Sequence, residues 1–139
     1  MLGDNMAFPP TLKLKCDAIL NDLTRSETHL TFLSLSTSDG YTLSHSQPEY
    51  ENFNSRRISA MASSFAGISL ELAKETRHPS IEGSIIECAN GFLVCRLLKS
   101  DNIDTVLLGV FNSDSNHGMA LWTLNNIAKS ISDLFNVYK

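Results

Sequence analysis

The chain has 139 residues, 42% of them hydrophobic, which is the size of one domain able to bury a core of its own. With 11 basic and 15 acidic residues the formal net charge is -4, and no Lys/Arg stripe gathers along any segment, so phosphate-backbone binding is excluded as the main task and no nucleic-acid partner is expected. Cys16, Cys88 and Cys95 fit neither a zinc knuckle nor a CxxC pair and read as small core residues in a reducing compartment.

The N-terminal stretch MLGDNMAFPP lacks the basic and apolar regions of a signal peptide, and no run approaches the roughly 18 apolar residues of a spanning helix. A cytoplasmic chain without a membrane span is expected. Residues 1–10 read as a flexible lead and residues 11–139 as a single domain.

Thr11 is a candidate cap for a first helix over residues 11–25, in which Leu12, Cys16, Ile19, Leu20 and Leu23 form one apolar face. HLTFLSLS (29–36) and YTLSH (41–45) then flank Ser38-Asp39-Gly40, an Asp-Gly signal for a hairpin. The first of these strands carries Leu30 and Phe32 on one side and Leu33 and Leu35 on the other, so both faces of its sheet should be covered.

After the polar stretch QPEYENFN, Ser55 reads as the cap of a long helix. Its large side chains, Ile58, Met61, Phe65, Ile68 and Leu72, recur at helical spacing, and so does a strip of small ones, Ala62, Ala66, Ser69 and Ala73. Two such strips suit either a helix buried inside a monomer or one that packs on a sheet with one strip and meets a second subunit with the other. Arg77-His78-Pro79 ends it.

Three strands follow, over about 81–88, 92–98 and 105–111, the first two joined at Asn90-Gly91. A two-residue turn there would set Cys88 opposite Leu93 and Ile86 opposite Cys95, leaving Cys88 and Cys95 as diagonal neighbours, too far apart for an undistorted disulfide, and Glu87 diagonal to Arg96. A closing helix over 116–135 buries Ala120, Leu124, Ile127, Ala128, Ile131, Leu134 and Phe135, with Met119 and Trp122 on its flank.

Chemistry is thinly represented. No GxxxxGK[ST], GxGxxG, HExxH, GxSxG or EF-hand pattern occurs, and His29, His45, His78 and His117 are scattered, so no catalytic residue, metal or cofactor is expected. The polar cluster Asn112-Ser-Asp-Ser-Asn-His-Gly118 is explained as a turn and helix cap, with Asp114, Ser115 or Asn116 as the cap. Arg56 and Arg57 oppose the dipole of the helix they open and are candidates for contact with a partner's acidic surface.

The element order, together with Ser38-Asp-Gly-Tyr-Thr-Leu43, the Ala-rich segment 58–75, the hairpin at Asn90-Gly-Phe-Leu-Val94 and the run from Val106 to Leu124, resembles the Roadblock family, the dynein light-chain and bacterial GTPase-regulator domain. The resemblance covers about residues 12–135. It implies an α+β fold of order α-β-β-α-β-β-β-α, a five-stranded antiparallel sheet between one long helix and the two terminal helices. It also implies a homodimer in which second helices pack antiparallel and edge strands join. Met61, Ala62, Phe65, Ala66, Ser69, Ala73, Ile81 and Ile85 are the interface residues that this arrangement suggests. Family members are non-enzymatic platforms that bind small Ras-like GTPases, in some cases stimulating hydrolysis without an arginine finger, or that attach cargo to dynein. A small-molecule-sensing α+β domain, or a scaffold with no GTPase partner, is the alternative.

Overall fold

The computed structural model describes residues 8–26, 29–47, 52–100 and 103–137. Among these described residues, three helices and five strands follow one another as α1 (Pro10–Ser26), β1 (Leu30–Thr37), β2 (Thr42–His45), α2 (Ser55–Glu75), β3 (Ser84–Cys88), β4 (Gly91–Leu98), β5 (Thr105–Asn112) and α3 (His117–Val137). All strand pairs are antiparallel, in the order β2-β1-β5-β4-β3, so the central β1 and β5 are flanked by two hairpins and β2 and β3 form the edges.

Two apolar layers sandwich this sheet. On one side α1 and α3 contribute Leu12, Cys16, Leu20, Leu124, Ile127 and Ile131 against Leu33, Leu35, Val94, Leu107 and Phe111. On the other, α2 sets Ala62 and Ala66 on Cys95, Val106 and Leu108, with Ile58 and Phe65 half-buried beside them. The doubly apolar β1 is thus covered on both faces, but an irregularity between Leu30 and Phe32 turns Leu30 to the α1/α3 side with Leu33 and Leu35, not to the side of Phe32.

Helix ends depart from the sequence reading by a residue or two. Pro10, not Thr11, opens α1, because its fixed φ suits a first helical position and its missing N–H is no loss there. Asn54, not Ser55, caps α2, its Oδ1 accepting the backbone N–H of Arg57 at 3.1 Å. Within the expected lead, residues 1–7 lie outside the described residues, whereas Phe8 is buried edge-on against Phe135, ring centres 5.8 Å apart, and belongs to the core.

The β3–β4 hairpin is displaced by two residues from the register expected. Cys88 faces Gly91, Ile86 faces Leu93 and Ser84 faces Cys95, so the turn is Ala89-Asn90. Gly91 is required for another reason: it starts β4 with φ +151°, and a Cβ there would sit 2.1 Å from the carbonyl oxygen of Phe111 on β5. Cys88 and Cys95 are consequently four residues apart along the ladder, about 13 Å, rather than diagonal neighbours. Cys88 is also exposed, unlike the buried Cys16 and Cys95. Glu87 meets His117 at 3.4 Å and not Arg96.

Candidate interaction surface

The underside of α2 is small and hydroxylated because the sheet beneath it is. On β1 the residues that face α2 are Phe32, Ser34 and Ser36, which pair with Val110, Leu108 and Val106 of β5. Buried Ser63 answers them, donating its hydroxyl to the Thr37 carbonyl at 2.7 Å and meeting the Ser36 hydroxyl at 3.2 Å. Thr42 of β2 donates to Ser59 at 2.8 Å. A helix seated on hydroxyls and alanines approaches the sheet closely, and its bulky side chains have to point elsewhere.

They point outward. Met61, Ile68 and Leu72 are 64%, 67% and 64% exposed, whereas Ala62 and Ala66 retain 6% and 2%. Of the interface set expected from sequence, Ala62 and Ala66 are buried against the chain's own sheet. Met61 lies on the outer face, Phe65, Ser69 and Ala73 are half-buried on its flank, and Ile68 and Leu72, absent from that set, are prominent members of the outer row.

The second expected element is the sheet edge at β3, whose only strand neighbour among the described residues is β4. Its side chains divide between layers. Ile85 pairs with Val94 of the α1/α3 layer and is exposed, whereas Ile86 pairs with Leu93 of the α2 layer. Ile86 thus shares the α2 side of the sheet, and Ile85 faces the opposite side. Ile81 is half-buried and precedes the strand rather than lying in it.

Arg56 and Arg57 are both exposed at the start of α2, which has no acidic residue in its first turn. Arg56 borders an open groove along β2, with Lys13, Thr42, Ser44, His45, Phe53 and Asn54. Arg57 lies on the side of the helix that carries Met61 and Ile68.

The polar cluster at 112–118 is a turn and a cap. Asn112 Oδ1 accepts the Asp114 N–H at 3.0 Å, and Asn116 Oδ1 accepts the Met119 N–H at 2.9 Å, which singles out Asn116 among the candidates. His117 packs on the Phe92 ring, centres 5.1 Å apart. Elsewhere, His45 Nδ1 lies 2.7 Å from the Ser46 carbonyl and His78 Nδ1 3.1 Å from the Thr76 hydroxyl, while the His29 backbone carbonyl accepts the Asn112 N–H at 2.9 Å. Among the described residues no three His, Cys, Asp or Glu side chains gather to hold a metal, and no helix is long and apolar enough to cross a membrane.

No family model and no curated protein matches the sequence. Solved structures do. Myxococcus xanthus MglB superposes with a TM-score of 0.78 at 16% identity, covering 90% of each chain. The gliding protein MglB from Thermus thermophilus gives 0.74 at 12% identity, over 89% of this chain and 90% of that one. The Roadblock/LC7 domain from Streptomyces avermitilis gives 0.68 at 15% identity, over 83% and 92%. Strand order, layers and helix placement all agree with the sequence expectation, and the chain is a Roadblock-like α+β domain.

Proposed function

We propose that this protein is a non-enzymatic, homodimeric, cytoplasmic adaptor or regulator that binds a small Ras-like GTPase. The observation that carries the reading is the outer row of α2, where three large apolar side chains stand more than 60% exposed on a helix whose small residues are turned inward. A monomer gains nothing by that inversion. Exposed apolar patches of this kind mark protein interfaces. The Roadblock-like fold shared with MglB supports the regulator role, and the free outer edge of β3 would be protected by a second copy of the chain.

Light scattering tests the dimer. The chain should elute at about twice its 15.3 kDa, and Leu72→Glu should shift it to the monomer with its circular dichroism intact. A wild-type monomer at every concentration would sink this reading. Ala66→Glu is the wrong probe, since its carboxylate would enter the chain's own core. For the GTPase, immobilised protein should recover a small GTPase from its native lysate in a nucleotide-dependent way; repeated recovery of none, with stabilisation by a metabolite in thermal-shift screening instead, would favour a ligand-sensing domain.

A further inference from the structure

β2 lies at the opposite end of the strand order from β3, so a second copy paired at β3 would leave it open. The strand has four residues, and a groove of about 610 Å³ runs beside it, between the start of α1 and the start of α2. The chain from Asn52 to Arg56 forms the other wall, and Lys13 borders it on the α1 side. Phe53 packs edge-on against buried Phe32, ring centres 5.2 Å apart, which fixes that wall to the core. The Ser46 N–H donates to the Leu33 carbonyl at 2.9 Å, so by antiparallel alternation the N–H and C=O of His45 point away from β1 and towards the groove. The next outward N–H, that of Gln47, is already taken by Asn21 Oδ1 at 2.7 Å, which marks where the open stretch of edge ends.

The charge of this groove runs against that of the chain. Acidic residues outnumber basic ones by 15 to 11, yet among the described residues the ionisable groups that line the groove are Lys13, His45 and Arg56, and no carboxylate does. Asp17 is held outside the lining by two donors, the Lys13 ammonium at 2.8 Å and the Ser44 hydroxyl at 2.5 Å. Lys13 is thereby neutralised in place, whereas Arg56 has no carboxylate partner among the described residues. Arg56 also stands in the first turn of α2, where the helix end carries charge of its own sign. A carboxylate brought from outside would satisfy both.

We propose that this groove takes an extended acidic segment of a partner protein, which adds to the β2 edge as a short extra strand. The outward backbone groups of His45 pair with the segment's main chain, and the Arg56 guanidinium holds one of its carboxylates, the planar fork matching the two oxygens. With four residues in β2 the pairing spans roughly 13 Å, too short an edge for indiscriminate strand addition, so charge does the selecting. The site stands apart from the homodimer reading and does not depend on it.

Amide chemical shifts of the isotope-labelled chain, followed by NMR, supply the test, with the blocked peptide acetyl-Val-Glu-Val-Glu-Val-Glu-Val-amide as the probe. It should shift the amides of Thr42 to His45 and of Asn54 to Arg56, saturably and in the high micromolar range, while the same peptide with Lys in place of Glu should shift neither. Arg56→Glu should weaken binding by roughly tenfold, whereas Arg57→Glu, the same change of charge turned about 100° round the helix, should leave it within about twofold. Both arginines are exposed, so neither change enters the core. A fully N-methylated peptide keeps its charge but cannot donate to the edge, and should bind no better than free glutamate. Equal shifts from free glutamate or inorganic phosphate would make this a simple anion site and overturn strand addition. Equal losses from the two arginine reversals, shifts confined to β3 or to the outer face of α2, or no shift at millimolar peptide would overturn the site itself.

Discussion

Asn116 Oδ1 accepts the backbone N–H of Met119 at 2.9 Å, while the Asp114 carboxylate two residues earlier caps nothing. The free first-turn donors of α3 therefore depend on an amide and not on the carboxylate beside it. Asn116→Ala should cost about 1 kcal/mol in urea unfolding, and Asp114→Ala a few tenths at most. Equal losses from both would mean that the cap is shared.

The hydroxyl seat of α2 makes a second measurable claim. Ser63 bridges the Thr37 carbonyl and the Ser36 hydroxyl within a buried layer, so Ser63→Ala should cost about 1 to 2 kcal/mol although it removes a single oxygen. Ser36→Ala should cost less once Ser63 is already alanine, with a coupling of about 0.5 kcal/mol or more in a double-mutant cycle. Strict additivity would show that the two hydroxyls act independently.

Much of this architecture is legible in the sequence because helical and strand periods are long-range signals: Ile58 to Leu72 and Val106 to Phe111 each repeat often enough to fix an element and its type. Which strip of α2 lies inward is not given by period, since both strips repeat equally well. The missing signal sits on other strands, in Ser34 and Ser36, whose small polar surface accepts alanines and serines and not Met61 or Leu72. The hairpin register failed for a related reason. Asn90-Gly91 is a strong turn signal, but the positive φ of Gly91 answers to the Phe111 carbonyl of a strand distant in sequence, a contact that no local pattern reports.

Two cysteines give the fold a dependence on alkaline pH. Burial pushes the thiols of Cys16 and Cys95 up to about 12 from an ordinary value near 9, with the Asp17 carboxylate adding to the effect at Cys16. The protonated thiols are favoured by the native state, so their contribution is fully present below pH 9 and is lost as pH rises from 9 towards 12. Unfolding free energy should fall through that window, and less steeply when Cys95 is replaced by alanine. Below it, at about pH 8, a disulfide reagent should label Cys88 quickly and the other two only on unfolding. Three equally fast thiols in native buffer would contradict the burial of Cys16 and Cys95.

Glycine substitutions separate close approach from open space. An alanine Cβ at Gly91 would be 2.1 Å from the Phe111 carbonyl oxygen and 3.1 Å from the Asn112 Cα, both backbone atoms held in the β4–β5 ladder, and the φ of +151° adds its own strain. Neither atom can retreat without opening the ladder, so Gly91→Ala should lose about 4 kcal/mol or fail to fold. Gly67 is the control. Nothing lies within 4 Å of the Cβ it would gain, and it sits inside an α-helix, where alanine is the better residue by roughly 0.5 to 1 kcal/mol. Gly67→Ala should therefore raise the melting temperature of the monomer, measured in the Leu72→Glu background so that dimer contacts do not enter. If Gly91→Ala melted within a degree of wild type, the start of β4 would have to lie farther from β5 than the ladder places it.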